Sequence, residues 1–204
     1  MPADPVAVAG ILLAAGTSSR MGRNKMLVEL HGESLLRGAA HRALDGGLTP
    51  LCVVLGYESD RAREQLAGLS CTIVINPDYD HGITSSLRAG VASLPPTVRA
   101  TMVLLADMPF VTADMIRQMI ARYQMTWPPL VISDYGGVNA PPMLYDRRLF
   151  DELTDRDAEG CGKRVVRAHR AHAAVLLWPE SALADIDVPD DYTRLATSVA
   201  GHAH

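Results

Sequence analysis

Thirteen consecutive residues carry the densest chemistry in the chain: Leu13-Ala14-Ala15-Gly16-Thr17-Ser18-Ser19-Arg20-Met21-Gly22-Arg23-Asn24-Lys25. An apolar run ends abruptly here in small residues and hydroxyls. Ala14, Ala15 and Gly16 put no bulky side chain between the backbone and a ligand. Successive N–H groups in such a turn form a nest for an anion. Arg20, Arg23 and Lys25 add three cations within six residues. Small residues, N–H donors and positive charge together suit a polyphosphate. The spacing is neither that of a Walker loop nor that of a dinucleotide fingerprint. A surface turn followed by a solvated basic patch is the alternative that composition alone leaves open.

Three further segments hold candidate groups. Leu104-Leu105-Ala106-Asp107-Met108-Pro109 sets a carboxylate just past an apolar run, at the edge where open α/β sheets bind ligands. Mg²⁺ takes one or two such carboxylates and completes its shell with phosphate oxygens and water. A turn or cap role is the plainer reading of a lone aspartate there. Asn76-Pro77-Asp78-Tyr79-Asp80-His81-Gly82-Ile83-Thr84-Ser85-Ser86-Leu87-Arg88 follows another apolar run. Gly82 permits an unusual backbone angle, and Thr84, Ser85 and Ser86 offer hydroxyls and free amides at a helix start. That suits a base edge, a ribose or a phosphate, or simple capping. His81 reads as a polar loop residue. Asp185, Asp187, Asp190 and Asp191 give four carboxylates in seven residues. Capping of a last helix after Pro189 explains Asp190 and Asp191 well, and Asp187 less well.

The elements that must position these groups alternate regularly. Nearly continuous apolar runs at 6–14, 51–55, 72–75, 102–105, 130–133 and 174–177 predict strands covered on both faces, as in a parallel sheet. Helical patterns fall between them at 34–44, 60–66, 84–93 and 112–123, with Ser34 and Thr112 as N-caps. This rhythm predicts an α/β fold with a doubly wound, mostly parallel, Rossmann-like sheet and helices on both faces. Trp127-Pro128-Pro129 and the stretch from Gly136 to Pro142 break the rhythm. A substrate-side lobe or insertion is expected there, to about residue 172.

Composition narrows the partners. The chain has 204 residues, enough for one α/β domain with a small accessory lobe. Its formal charge is −4, which leaves no basic footprint for nucleic acid and no overall attraction to an anionic membrane. No apolar run approaches the roughly 20 residues needed to span a bilayer. Cys52, Cys71 and Cys161 are scattered and form neither a disulfide framework nor a metal site. With a start that lacks a basic secretory signal, this predicts a cytoplasmic protein.

The first segment closely resembles the Leu-Ala-Ala-Gly-x-(Ser/Gly)-x-Arg-Met-Gly-x-x-Lys signature of the MobA-like nucleotidyltransferases, which include the molybdenum cofactor cytidylyl- and guanylyltransferases. The Gly82–Leu87 stretch, Ala106-Asp107-Met108-Pro109 and Asp185-Ile186-Asp187-Val188-Pro189 are similar to further motifs of that family. The resemblance implies one nucleotidyltransferase domain over 1–204. About 1–126 would bind nucleotide, about 127–172 would form the acceptor side, and 173–200 would supply a return strand and last helix. It implies that Leu13 to Arg20, Lys25, Gly82, Ser85, Ser86 and Asp107 contact the nucleotide. Asp107 and Asp187 would hold Mg²⁺ or Mn²⁺, with Lys25, Arg20 and Asp107 as the catalytic groups.

The expected reaction is transfer of a cytidylyl group from CTP to a molybdopterin-type phosphate, with a molybdenum hydroxylase as downstream client. Ala15 gives the Leu-Ala-Ala-Gly form typical of cytidylyltransferases, against Leu-Ala-Gly-Gly for those using GTP. The match weakens at Asn139-Ala140-Pro141-Pro142, where relatives carry Arg-Gly-His-Pro. Two alternatives follow. One is a nucleotidyltransferase acting on a sugar or polyol phosphate. The other is a nucleotide-binding assembly protein with reduced turnover that carries the cofactor to a molybdenum hydroxylase.

Overall fold

The computed structural model describes residues 7–16, 24–30, 32–155 and 160–183. Along the chain the elements are β1 (Ala9–Ala14), β2 (Glu29–Leu30), β3 (Glu33–Ser34), α1 (Leu35–Asp45), β4 (Leu51–Leu55), α2 (Ser59–Gln65), β5 (Cys71–Ile75) and α3 (Ile83–Ala92). They continue as β6 (Ala100–Leu105), α4 (Ala113–Thr126), β7 (Leu130–Tyr135), β8 (Val138–Asp146), α5 (Phe150–Thr154), α6 (Cys161–His169) and β9 (Ala174–Trp178). The six strands and four helices read from the sequence between residues 6 and 177 recur, most with shifted ends. Ser34 and Thr112 cap α1 and α4, their side chains accepting from the amides of Arg37 and Met115.

Seven strands form one sheet in the order β5-β4-β1-β6-β8-β7-β9. β1 pairs in parallel with β4 and β6, β4 with β5, and β7 with β9, while β8 runs antiparallel to both β6 and β7. The sheet is therefore mostly parallel. Its two faces are buried by alternate residues of the same strands. Leu12, Val53 and Leu104 pack with Leu36, Ala62 and Ile116 under α1, α2 and α4. Ile11, Val54 and Val103 pack with Leu87, Leu153 and Val165 under α3, α5 and α6. Along β1, β4, β6 and β7 both faces are covered, which is why those strand sequences are apolar without alternation. At Gly90 a Cβ would lie 2.6 Å from Ile11 Cγ2, so α3 approaches β1 more closely than any side chain there would allow.

The strand order locates the ligand edge. From β1 the chain lays β4 and then β5 to one side, and crosses back to place β6 on the other. The carboxyl ends of β1 and β6 flank this switch point, where the connections part and leave a crevice.

β8 and α6 fall in the stretch whose rhythm is broken. β8 contains Pro141 and Pro142, which cannot donate to a ladder. They sit where the β7–β8 register shifts between Ile132 and Asp134, and ahead of Met143, where pairing with β6 begins. Their carbonyls are instead held by side chains: Tyr135 Oη donates to Pro141 O at 2.9 Å and Ser133 Oγ to Pro142 O at 2.7 Å.

Candidate active site

The first site segment is set by β1. Its last residues, Leu13 and Ala14, are buried, Ala15 is buried just beyond, and Gly16 is exposed. Among the described residues, a Cβ at Gly16 would meet nothing within 4 Å. Ala15 O accepts from the Tyr57 amide at 3.4 Å, and Ala106 N donates to Leu13 O at 3.2 Å. The second bond ties the end of β6 to the end of β1, so Asp107 emerges beside the loop that begins at Gly16.

Lys25 is delivered to the same place by a small polar anchor. Asn24 is buried; its Nδ2 donates to Tyr57 O at 3.2 Å and its Oδ1 accepts from Met26 N at 3.0 Å. This caps the 3-10 turn Lys25–Leu27, and Met26 is buried beneath it. With both neighbours fixed, Lys25 Nζ lies 2.5 Å from Asp107 Oδ2. The two side chains are 14% and 18% exposed, so the pair is sheltered yet reachable from solvent. Asn24 was not singled out by sequence reasoning; an Asn two residues before a buried Met is the capping signal that marks it.

A second buried asparagine organises the start of α3. Asn76 follows β5; its Nδ2 donates to Ser85 Oγ (2.9 Å) and Ser86 Oγ (3.0 Å), and its Oδ1 accepts from the Asp78 amide (3.0 Å). Ser85 Oγ also donates toward Asp78 O and Gly82 O, at 2.7 and 2.8 Å. The two serine hydroxyls are thus occupied in shaping the turn, and Ser86 is buried. Gly82, at φ +88°, is exposed, with nothing near a notional Cβ among the described residues. This segment presents outward the backbone at the amino end of a ten-residue helix together with the exposed side chains of His81 and Ile83.

Thr17, Ser18, Ser19, Arg20, Arg23 and Asp187 lie outside the described residues, as does the expected last helix after Val188. Leu13, Ala14, Ala15, Gly16, Lys25 and Asp107 come together at the β1–β6 edge. Among the described residues no cluster of three metal-ligating side chains occurs, so Asp107 is the one sequence-predicted metal ligand that can be placed. Its carboxylate already draws a cation, Lys25, and it stands at an edge open to solvent. That is the hard oxygen donor a divalent ion bridging to phosphates requires.

Comparisons with known proteins place the chain in a family and a fold. The model of the MobA-like NTP transferase domain matches residues 10–174. The molybdenum cofactor cytidylyltransferase of Escherichia coli (strain K12) is 28% identical over 185 residues, covering 89% of this chain and 92% of that protein. The nicotine blue oxidoreductase of Paenarthrobacter nicotinovorans is also 28% identical, over 203 residues, covering 94% and 98%. Among solved structures, Rv0371c from Mycobacterium tuberculosis H37Rv superposes with a TM-score of 0.83 at 24% identity, covering 94% of this chain and 98% of that one. The same mycobacterial protein is also known as a complex with manganese.

Proposed function

The chain belongs to the MobA-like NTP transferase family, and from that premise we propose that it transfers a cytidylyl group from CTP to the phosphate of a molybdopterin-type acceptor, releasing pyrophosphate. The observation that carries this reading is the Lys25–Asp107 pair at 2.5 Å, next to the backbone at Gly16 and at the sheet's switch point.

In the reaction an oxygen of the acceptor phosphate attacks the α-phosphorus of CTP. The bond from the α-phosphorus to the bridging oxygen breaks, and pyrophosphate leaves with the electron pair. The acceptor phosphate is already ionised near neutral pH, so no protein base is required. Positioning and charge neutralisation are the whole task. The amides from Ala15 through Ser19 cradle the outer phosphates, and the backbone at Gly82 with the Ser85–Ser86 turn borders the nucleoside. Lys25 and Arg20 offset charge that builds on the bridging oxygen. Asp107 and Asp187 would hold Mg²⁺ or Mn²⁺, which would neutralise phosphate charge; the manganese complex of the mycobacterial neighbour supports this choice of ion class. The half from 127 to about 172 receives the acceptor.

CTP rather than GTP is supported by the Leu-Ala-Ala-Gly form of Leu13–Gly16; the Ala15 methyl itself is buried with Leu13 and Val54. A molybdenum hydroxylase as the client and a cytoplasmic location belong to the same proposal; the two described cysteines, Cys52 and Cys71, are free thiols. The direct test is pyrophosphate release with purified molybdopterin, CTP and Mn²⁺. Turnover with CTP and little with GTP is the expected result. Tight nucleotide binding without turnover favours the assembly-protein reading instead, which the Asn139 and Pro141 replacements motivate.

A further inference from the structure

α6 and the turn after it carry several cations. Lys163 and Arg167, at i and i+4, lie on one side of α6. Arg170 begins the 3-10 turn Arg170–His172, after His169 leaves the helical region at φ −105°, ψ 4°. All three are exposed, and neither Lys163 nor Arg167 has a carboxylate partner among the described residues. An open cavity of about 420 Å³ lies beside Lys163 and Arg167, lined also by Gly160 and Arg164. The opposite side of α6 buries Val165 against the sheet, so this face is fixed outward.

The Arg170 end is built with care. Asp134, 8% exposed at the end of β7, accepts from the Gly137 amide at 2.6 Å and from Asn139 Nδ2 at 3.1 Å. Those bonds close the β7–β8 hairpin and aim Asn139 Oδ1 at Arg170 Nη1, which donates to it. Arg170 Nη2 stands 3.9 Å from Asp134 Oδ2. The guanidinium is thus held along one edge while its side chain remains 50% exposed. It keeps further donors for an anion, already oriented. The hairpin tip belongs to the reacting edge: β8 runs antiparallel to β6 from Met143 opposite Val103, so Asn139 and Asp107 each lie four residues beyond that pair, at the same end of neighbouring strands.

We infer that α6 and the turn after it form the acceptor site: Arg170, positioned by Asn139 and Asp134, grips the attacking phosphate monoester, and Arg167 and Lys163 take the remaining negative charge of the acceptor. The proposed cytidylyl transfer supplies the identity of the acceptor, and this inference adds the residues that recognise it. It also accounts for a neutral Asn at 139: the cation of the acceptor side arrives from the turn after α6, and Asn139 orients it.

The test uses full-length protein and two independent readouts. In steady-state pyrophosphate release, Arg170→Ala and the double variant Lys163→Ala/Arg167→Ala raise KM for molybdopterin about tenfold or more, the scale of one lost charge-assisted hydrogen bond. KM for CTP and calorimetric CTP affinity stay at the wild-type value. Asn139→Ala gives a smaller rise of the same kind, as expected of a positioning residue. Equal loss on the CTP side, or an unchanged KM for molybdopterin, overturns the inference. Should wild-type protein release no pyrophosphate, the functional reading fails while the site stays testable. Titration of inorganic phosphate, followed on the arginine Nε–H resonances, shifts Arg167 and Arg170 in the wild type, and Lys163→Ala raises the phosphate concentration this requires. No shift at those resonances rejects the anion site on its own.

Discussion

Lys25 Nζ rests 2.5 Å from Asp107 Oδ2, joining two residues 82 positions apart across the ends of β1 and β6. The pair brings together, at one sheet edge, the carboxylate that in the proposed reaction would hold a divalent ion and the ammonium that would offset phosphate charge.

Lys25→Ala follows directly. Turnover should drop about a hundredfold, the scale for removing one preorganised donor, while calorimetric CTP affinity moves little. Equal loss of both, or no loss, contradicts a role confined to the transition state.

Asp107→Asn removes the carboxylate while keeping its shape. Mn²⁺ affinity, read from the electron paramagnetic resonance of bound and free ion, should fall at least about tenfold, since a charged oxygen donor is lost. Wild-type Mn²⁺ binding in this variant would place the ion elsewhere.

Asn76→Ala strips partners from Ser85, Ser86 and the Asp78 amide in a buried turn. Urea unfolding should show a loss of about 1–3 kcal/mol, with weakened CTP binding because the start of α3 loosens. An unchanged midpoint would mean that the turn holds its shape without the amide.

Nucleotide choice is tested at Ala15. Wild-type protein with Mn²⁺ should bind CTP more tightly than GTP in calorimetry, and Ala15→Gly should narrow the difference. Tighter GTP binding by the wild type would reverse the assignment.

Asp146 yields a prediction in pH. Burial works against its charge, but the Arg148 side chain and amide and the Tyr123 hydroxyl outweigh it, and its pKa falls below the ordinary value. The folded protein therefore releases this proton at lower pH than the unfolded chain. The stabilisation is fully present above an unfolded pKa of about 3.9 and is lost as pH drops through the lower folded value. Asp146→Asn should lower the melting temperature at pH 6, and the gap from wild type should shrink below about pH 4. A gap independent of pH would mean that packing, not charge, ties the end of β8 to α4.

Much of this was readable from residues. β1, β4, β6 and β7 are apolar without alternation because both sheet faces are covered, and that pattern announces them. The glycine loop and Asp107 declare themselves by composition at strand ends. β8 stayed hidden because Pro141 and Pro142 argue against a strand, and only the register shift with β7 and the Ser133 and Tyr135 hydroxyls make room for them. α6 was hidden for the opposite reason: Val165 and Val166 are its main apolar residues, too few to mark a helical period against so many cations. Asn24, Asn76 and Asn139 act through partners distant in sequence or set by a turn, so their spacing alone carries no signal of what they hold.

The central claim is that a triphosphate lies on the amides beyond β1, bridged by a cation to Asp107. A crystal grown with CTP and Mn²⁺, measured for anomalous scattering by manganese, tests it most directly. The account predicts a manganese peak in contact with an Asp107 carboxylate oxygen, phosphates over Gly16, and Lys25 turned from Asp107 to a phosphate oxygen. A triphosphate bound away from Gly16, or manganese with no contact to Asp107, would contradict it.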